Sequence, residues 1–425
     1  MTRAAVLFGI SLLALVPVPS HAAGQSIPDT IRPFGEREID KAFDYAERQL
    51  ANTVATTPVG AFPVFTDNRK TEPTFGKWST RTLPKPRFPD WRVGFFPGTL
   101  WLTYEYTQDP YWREQAEKWT NELEYVQNNN ADHDIGFEMM PSFGNALRLA
   151  PDARYEPILR RSADSLASRF NPVVGATQSW SWAIPQNWTF PVIVDNMMNL
   201  ELLFWSASHG GNPKHYDMAV SHALRTRENH VRPDGGTYHV VDYDPATGNV
   251  IKRITFQGYE NESTWARGEA WAIYGFTMTY RFTKDARFLE TAEKVADYFI
   301  DHVKKDWVPN WDFQAPAQYT QKDSSAAAIA AAGLIELAQF ERTQRGGFPR
   351  YLAYRVAAGR ILNALYRSYR AEGTPNQGLL LHGTGNYPAL WRANNPSEID
   401  IALIYGDYYF LEALLRYQQM LRECH

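Results

Sequence analysis

From residue 37 onward the chain repeats one pattern: a stretch with apolar residues spaced three and four apart, a loop, and another such stretch. This spacing places the apolar side chains on one face of a helix, so each stretch predicts a helix. The predicted helices lie at 37–53, 97–107, 111–127, 136–150, 152–169, 195–208, 213–230, 264–281, 285–303, 323–340, 349–370 and 400–421.

The joins at 107–110, 209–213 and 283–285 are short and contain Gly, Pro or a helix-capping Asp, as expected for helical hairpins. Six hairpins closed into a ring would bury every inner helix and leave no open end. The segment 326–337 is apolar on nearly all sides, which suits an inner helix. The pattern therefore predicts an all-α fold, an (α/α)6 barrel. A helical solenoid is the main alternative, but the hairpins share no consensus of fixed period.

One β signal interrupts the helices. Residues 237–243 and 250–254 are rich in β-branched and aromatic residues, and the turn-forming segment 244–249 separates them. This pattern predicts a small β-hairpin inserted in the barrel.

The N-terminus has the features of a secretory signal peptide. Arg3 precedes an apolar run from Ala4 to Val18, and Ser20 and Ala22 occupy the positions that a signal peptidase reads. We therefore expect a signal peptide at 1–22, an N-terminal strap at 23–36, a single catalytic domain at 37–425, and export, to the periplasm if the source is Gram-negative. A retained anchor helix is the alternative for residues 1–22.

Composition excludes several partners. The chain has 43 Lys and Arg against 47 Asp and Glu, so it has no basic excess for a phosphate backbone, and we expect no nucleic-acid partner. No segment after residue 22 is long and apolar enough to span a membrane. One cysteine, Cys424, excludes an intrachain disulfide. The 14 Trp, 23 Tyr and 23 Phe suit a large core or a sugar-binding site, since flat sugar faces stack on aromatic rings.

Familiar catalytic motifs such as HExxH, GxSxG and a P-loop are absent, and the scattered histidines predict no metal site. Two carboxylates remain as candidates. Asp134 precedes the fourth predicted helix, and Asp195 stands among apolar residues at the start of the sixth. Apolar neighbours raise a carboxyl pKa, as a general acid requires. The alternative for both residues is an ordinary helix cap.

Polar and aromatic residues elsewhere could line a pocket. Arg267 and Trp271 are four apart on one helix, an arrangement that suits an anionic sugar because the guanidinium can bind its carboxylate and the indole its ring face. Alternatively, they are a surface arginine and a core tryptophan. Further candidates are Trp91, His133, Trp180, His239 and Gln257.

Six segments, in this order, resemble the signatures of glycoside hydrolase family 88, the unsaturated glucuronyl hydrolases. They are HDIGF from 133, VDNMMNLELLFW from 194, DGGTYHVVDYD from 234, QGYENESTWARGEAW from 257, KDSSAAAIAAAGL from 322 and IYGDYYFLEAL from 404. The likeness extends over about residues 85–420. It implies an (α/α)6 barrel, no metal or organic cofactor, and an oligosaccharide substrate that ends in a 4,5-unsaturated uronic acid.

The resemblance also implies roles. Asp195 would protonate carbon 4 of the unsaturated sugar and then take a proton from the water that adds at carbon 5, while Asp134 would bind sugar hydroxyls. His239 and Gln257 would hold the water or substrate, and Arg267 and Trp271 the uronate ring. The remaining matches, Trp91, His133 and Trp180, would form the pocket wall.

One residue departs from the pattern. Phe256 stands where relatives commonly carry His before the Gln, which leaves the preferred leaving sugar open. Alternatives to hydration are a direct-displacement glycosidase that uses Asp134 and Asp195, an unsaturated rhamnogalacturonyl hydrolase, and a periplasmic sugar-binding protein without chemistry.

Overall fold

The computed structural model describes residues 34–82, 90–181 and 187–423. The predicted signal peptide at 1–22 and residues 23–33 of the predicted strap lie outside these ranges. The compact unit begins at Phe34, and the first helix begins at Glu36, within the predicted strap.

Helical segments occupy each of the twelve predicted stretches. The α-helices are α1 Glu36–Thr56, α2 Phe95–Thr107, α3 Pro110–Asn121, α4 Ile135–Met139, α5 Asn145–Leu149, α6 Tyr155–Ala167, α7 Asn196–Ser208, α8 Lys214–Asn229, α9 Ala266–Thr283, α10 Ala286–Val303, α11 Ser324–Thr343, α12 Phe348–Ala364, α13 Pro388–Ala393 and α14 Ile404–Arg422. A π-helical turn at Met140–Gly144 joins α4 and α5 into one inner helix, and another follows α12 at Leu365–Tyr369. The short α13 was not predicted.

The helices form two concentric rings. In the inner ring, α2 packs on the α4–α5 helix, which packs on α7, and the ring continues through α9, α11 and α14 back to α2. Each outer helix packs against two neighbouring helical segments of the inner ring. The outer helices are α1, α3, α6, α8, α10 and α12. This closed order of contacts is the predicted (α/α)6 barrel.

The inner and outer helices differ in how much of their surface is buried. In α11 the run from Ser324 to Ile335 is buried on every side, whereas α10 buries only the face that carries Phe288, Val295 and Phe299. Small residues let the inner helices approach closely: a Cβ on Gly333 would lie only 3.0 Å from the backbone of Tyr274 on α9.

Long connections collect at one end of the barrel. Each chain segment that runs from an outer helix to the next inner helix is long, whereas each return to an outer helix spans only a few residues. The long connections therefore meet at the N-terminal ends of the inner helices, and loops on a rigid scaffold are where functional side chains concentrate.

The strands lie in these long connections. They are β1 Ala61–Thr66, β2 Trp78–Thr82, β3 Phe170–Asn171, β4 Ala176–Thr177, β5 Pro191–Ile193, β6 Val240–Tyr243, β7 Val250–Ile254, β8 Gly383–Thr384 and β9 Ile399–Ile401. The predicted hairpin is β6–β7, and β5 adds an antiparallel third strand that was not predicted. The described helices include none with both the length and the apolar character that crossing a bilayer requires.

Candidate active site

The long connections enclose a cavity of about 330 Å³ at the N-terminal ends of the inner helices. Six of the nine predicted site residues line it: Trp91, Asp134, Trp180, Asp195, Gln257 and Arg267. The other three, His133, His239 and Trp271, are buried directly beside lining residues. Residues from distant parts of the chain thus meet in one place.

Asp195 lies where β5 ends and α7 begins. It stands at the N-cap position, but its side chain accepts no capping hydrogen bond from the helix. Its Oδ2 atom is buried and has no hydrogen-bond partner within the described residues. The simple capping role is therefore ruled out, and the carboxyl group is left for a ligand or water.

Burial raises the pKa of Asp195 from 3.8 to about 7. The positive charge of Arg267 opposes this rise, as does the indole N–H of Trp271, although the indole does not reach full hydrogen-bond geometry. A pKa near neutrality lets one carboxyl group give a proton and later take one back.

Asp195→Asn is expected to stabilise the protein more at pH 8 than at pH 5. Because the folded-state pKa is raised, the folded form binds the proton more tightly, and stability falls as pH rises from about 4 to 7. Asparagine does not titrate, so the variant keeps the stability that wild type loses between pH 5 and pH 8. That loss in the free energy of unfolding amounts to about 2–3 kcal/mol. Urea unfolding at both pH values measures it, with exposed Asp217→Asn as control. Equal effects of Asp195→Asn at pH 5 and pH 8 would contradict the raised pKa.

His239 faces Asp195 in a fixed protonation state. Its Nδ1 accepts hydrogen bonds from the backbone N–H groups of Phe256 and Gln257, each at 3.1 Å. The ring proton therefore lies on Nε2, which is 3.8 Å from Asp195 Oδ2. Burial, then the charge of Arg267, lowers the pKa of His239 well below its usual value. The ring is thus a neutral N–H donor in the site.

Asp134 forms the second acidic group. It stands at the N-cap of α4 without a capping side-chain bond, and its Oδ1 lies 3.4 Å from His133 Nε2. Burial raises its pKa well above the usual value, and the nearby charges of Asp132 and Asp195 add to the rise. Asp132 accepts a hydrogen bond from the Asp134 backbone N–H at 2.9 Å. The carboxyl groups of this site therefore influence one another's titration.

Arg267 is more tightly bound to the protein than the sequence pattern suggests. Its guanidinium is 1% exposed, pairs with Asp323 at 2.7 Å, and donates to the carbonyl oxygens of Thr384 and Gly385. Three of its five N–H groups are therefore occupied by protein acceptors, and the arginine joins α9, the start of α11 and β8. Its charge remains next to Asp195, whose pKa it lowers.

The predicted aromatic residues fall into two groups. Trp91 packs on Tyr405, with ring centres 5.0 Å apart, and Trp271 packs on Phe137 at the same distance. Trp180 stands edge-on to His239 on the other side of the cavity, 5.8 Å away. Tryptophan faces on two sides suit a bound sugar ring.

The structure adds residues that the sequence analysis missed. Arg92 lines the cavity beside Trp91 and pairs with Asp90 at 2.7 Å and with Glu398 at 3.4 Å. Its position next to the predicted Trp91 was the only signal available, since Glu398 is more than three hundred residues away. Tyr405, within the last of the six quoted motifs, also lines the cavity.

A larger cavity, of about 1150 Å³, lies at the C-terminal ends of the inner helices. None of the nine predicted residues lines it, and its charged groups include pairs such as Arg148 with Glu105 at 2.6 Å. Within the described ranges, no group of three or more His, Cys, Asp or Glu residues could hold a metal ion. The smaller cavity is therefore the candidate active site.

Comparison with known proteins shows the family of the chain. Residues 68–336 match the model of Glycosyl Hydrolase Family 88. The unsaturated glucuronyl hydrolase of Formosa agariphila is 38% identical over 392 residues, which are 91% of this chain and 92% of that protein. The enzyme of the same name from Bacillus sp. strain GL1 is 36% identical over 78% of this chain and 86% of its own length.

A solved structure is similar along nearly its whole length. It is the crystal structure of an unsaturated glucuronyl hydrolase specific for heparin, whose sequence is 37% identical to this chain. The two structures superimpose with a TM-score of 0.81 over 91% of this chain and 99% of that protein. Extent of match, identity and fold agree, and the chain belongs to glycoside hydrolase family 88.

Proposed function

We propose that this glycoside hydrolase releases the 4,5-unsaturated uronic acid from the non-reducing end of oligosaccharides that polysaccharide lyases produce. The observation that carries the proposal is Asp195: a buried carboxyl group with a pKa of about 7, an unpartnered oxygen, and the Nε2–H group of His239 3.8 Å away. Two relatives, which match 91% and 78% of the chain, are named unsaturated glucuronyl hydrolases.

The proposed reaction is hydration of the double bond. Protonated Asp195 gives its proton to carbon 4, and positive charge develops on carbon 5 and the ring oxygen. Water adds at carbon 5 while the Asp195 carboxylate takes one of its protons, so the catalyst returns to its starting state. The resulting hemiketal opens as the bond from carbon 5 to the ring oxygen breaks. Carbon 1 then becomes an aldehyde and expels the glycosidic oxygen as the hydroxyl of the leaving sugar.

Neighbouring groups have distinct proposed tasks. His239, as a neutral Nε2–H donor, positions the water or the Asp195 carboxyl group instead of acting as a base. Asp134, whose pKa burial raises well above the usual value, can donate to a sugar hydroxyl in its protonated form. Trp91 and Trp180, which line the cavity, would hold the ring faces, and the buried Trp271 would support the cavity wall through Phe137.

The rate is expected to fall as pH rises above 7. Proton donation to carbon 4 requires protonated Asp195, whose pKa is about 7, so kcat/KM should decrease about tenfold per pH unit on the alkaline side. A profile of kcat/KM between pH 5 and pH 9 on an unsaturated disaccharide measures this. Activity that stays constant up to pH 9 would contradict Asp195 as the acid.

A substrate panel separates the proposal from two alternatives. Unsaturated disaccharides with glucuronyl linkages should lose the ultraviolet absorbance of their double bond and release the second sugar. A sugar-binding protein would bind them without either change, and an unsaturated rhamnogalacturonyl hydrolase would prefer substrates with rhamnose as the leaving sugar. Activity restricted to the rhamnose-containing substrates would overturn the proposal.

We also propose that the protein is exported to the periplasm after removal of residues 1–22. The positive Arg3, the apolar run to Val18 and the small residues Ser20 and Ala22 support this. N-terminal sequencing of protein from the periplasmic fraction of an expressing Gram-negative host tests it. A mature protein that begins at Ala23 is expected, and an uncleaved chain in the membrane fraction would contradict it.

A further inference from the structure

Two loops bring predicted site residues to the cavity. The α4 loop, residues 129–134, precedes α4 and carries Asp134, and the β4 loop, residues 178–181, follows β4 and carries Trp180. The backbones of Asp132 and Trp180 form one isolated antiparallel bridge between the loops. A single bridge contributes little stability in water, so other contacts must hold the two loops together.

Arg169, which lies between α6 and β3, joins these two loops. Its Nη1 atom donates to the Asn130 carbonyl oxygen of the α4 loop at 2.7 Å. Its other nitrogen atoms donate to the β4 loop: Nε to the Gln178 carbonyl oxygen at 2.9 Å, and Nη2 to the Ser179 carbonyl oxygen and to Ser181 Oγ, each at 3.1 Å. One guanidinium therefore holds both loops.

The charge of Arg169 also reaches the site. Its four acceptors are neutral carbonyl and hydroxyl oxygens, so these bonds leave the positive charge in place. Burial raises the pKa of Asp132 and of Asp134, and the charge of Arg169 opposes the rise in both. Arg169 is not among the residues that line the cavity, so it acts on the site through the two loops and their acids.

Asp195 is held independently of Arg169. The strand before it, β5, is paired along its length with β6. The β4 loop is tied to the same strand, because Ser179 Oγ accepts a hydrogen bond from the Ile193 backbone N–H at 2.9 Å. Loss of Arg169 should therefore let the α4 loop move relative to the β4 loop and leave Asp195 in place.

We propose that Arg169 is a positioning residue that keeps Asp134 and Trp180 at the spacing that the terminal sugar ring requires. The inference rests on the proposed function, in which Asp134 binds sugar hydroxyls and Trp180 a ring face. The planar guanidinium donates from three nitrogen atoms to acceptors on both loops, and the single ammonium of a lysine cannot do so. A changed spacing weakens binding of the ring, whereas proton transfer by Asp195 continues.

The experiment separates KM from kcat. Arg169→Ala is expected to raise KM for an unsaturated disaccharide by about 10- to 100-fold and to change kcat much less, because misplaced binding groups weaken binding. Arg169→Lys, which keeps the charge, should raise KM nearly as much. Guanidinium chloride at a non-denaturing concentration should lower the KM of Arg169→Ala, and sodium chloride of the same ionic strength should not. Circular dichroism verifies that both variants are folded.

Arg161→Ala provides the matched control. Arg161 is an exposed residue of α6 whose Nε donates to Asn128 Oδ1 at 3.0 Å, just before the α4 loop, so this variant also loses an arginine and a hydrogen bond nearby. Its KM should equal that of wild type. If Arg169→Ala lowers kcat in proportion to its folded fraction and leaves KM unchanged, Arg169 only stabilises the fold and the inference is wrong. A wild-type KM for Arg169→Lys would contradict it as well, since charge alone would then suffice.

A binding measurement separates this inference from the proposed function. In the Asp195→Asn background, calorimetry gives the dissociation constant of the disaccharide without turnover. Adding Arg169→Ala should raise this constant by a factor similar to that for KM, and an unchanged constant would overturn the role of Arg169. If wild type destroys no double bond, the proposed function fails, while the two dissociation constants still decide whether Arg169 positions the site.

Discussion

Replacing Asp195 by Asn is expected to lower kcat/KM on unsaturated disaccharides by about 10²- to 10⁴-fold. Asparagine keeps the size of the side chain but can neither give a proton to carbon 4 nor take one from water. The group has no capping bond to lose, and its Oδ2 atom has no partner among the described residues, so the fold should remain intact. Loss of ultraviolet absorbance measures the rate, and circular dichroism verifies the fold.

The exposed variant Asp217→Asn provides the control for this experiment, since it makes the same chemical change on α8, away from the cavity. Its rate should equal that of wild type. If Asp195→Asn keeps more than a tenth of the wild-type rate while folded, another group transfers the proton, and Asp134 is the first residue to test.

Replacing Arg267 by Met is expected to lower the free energy of unfolding by about 3–5 kcal/mol. The substitution leaves the carboxylate of Asp323, which is fully buried, without its cation, and the carbonyl oxygens of Thr384 and Gly385 without their donor. Urea unfolding measures the loss. Arg253→Met, at an exposed arginine whose hydrogen bonds to described residues all go to Asn229, should cost much less.

A second substitution tests the cause. Adding Asp323→Asn to Arg267→Met removes the uncompensated charge while an amide oxygen stays available to the backbone of α11, which Asp323 caps. The double variant should therefore regain part of the lost stability. If it is less stable than Arg267→Met by the full cost of Asp323→Asn alone, the two residues act independently and the ion pair does not explain the loss.

The sequence was sufficient to predict the barrel because its signal is local. Apolar spacing within about fifteen residues indicates a helix, and the large burial on α9 and α11 shows up as nearly unbroken apolar runs. Short joins fix consecutive helices as neighbours. The contact between α2 and α14 that closes the ring has no local signal in the sequence. It was predicted only because the chain contains six hairpins.

Short strands and long-range pairs could not be predicted in this way. β8 and β9 span two and three residues and are stabilised by pairing with each other around α13. Glu398, the second partner of Arg92, and Asp323, the partner of Arg267, lie far away along the chain, so no local pattern links them. The nine site residues were chosen by residue type and spacing and by the family resemblance, and the structure brings all nine to one cavity or its walls, although their individual roles stay predictions.

The most direct test of the central claim is a reaction in water that contains methanol, followed by mass spectrometry and NMR of the products. Hydration through positive charge at carbon 5 predicts that methanol adds there, so that a product forms with a methoxy group on carbon 5, no double bond, and the glycosidic bond intact. A methyl glycoside at carbon 1, formed with release of the second sugar and retention of the double bond, would show direct displacement and contradict the role proposed for Asp195.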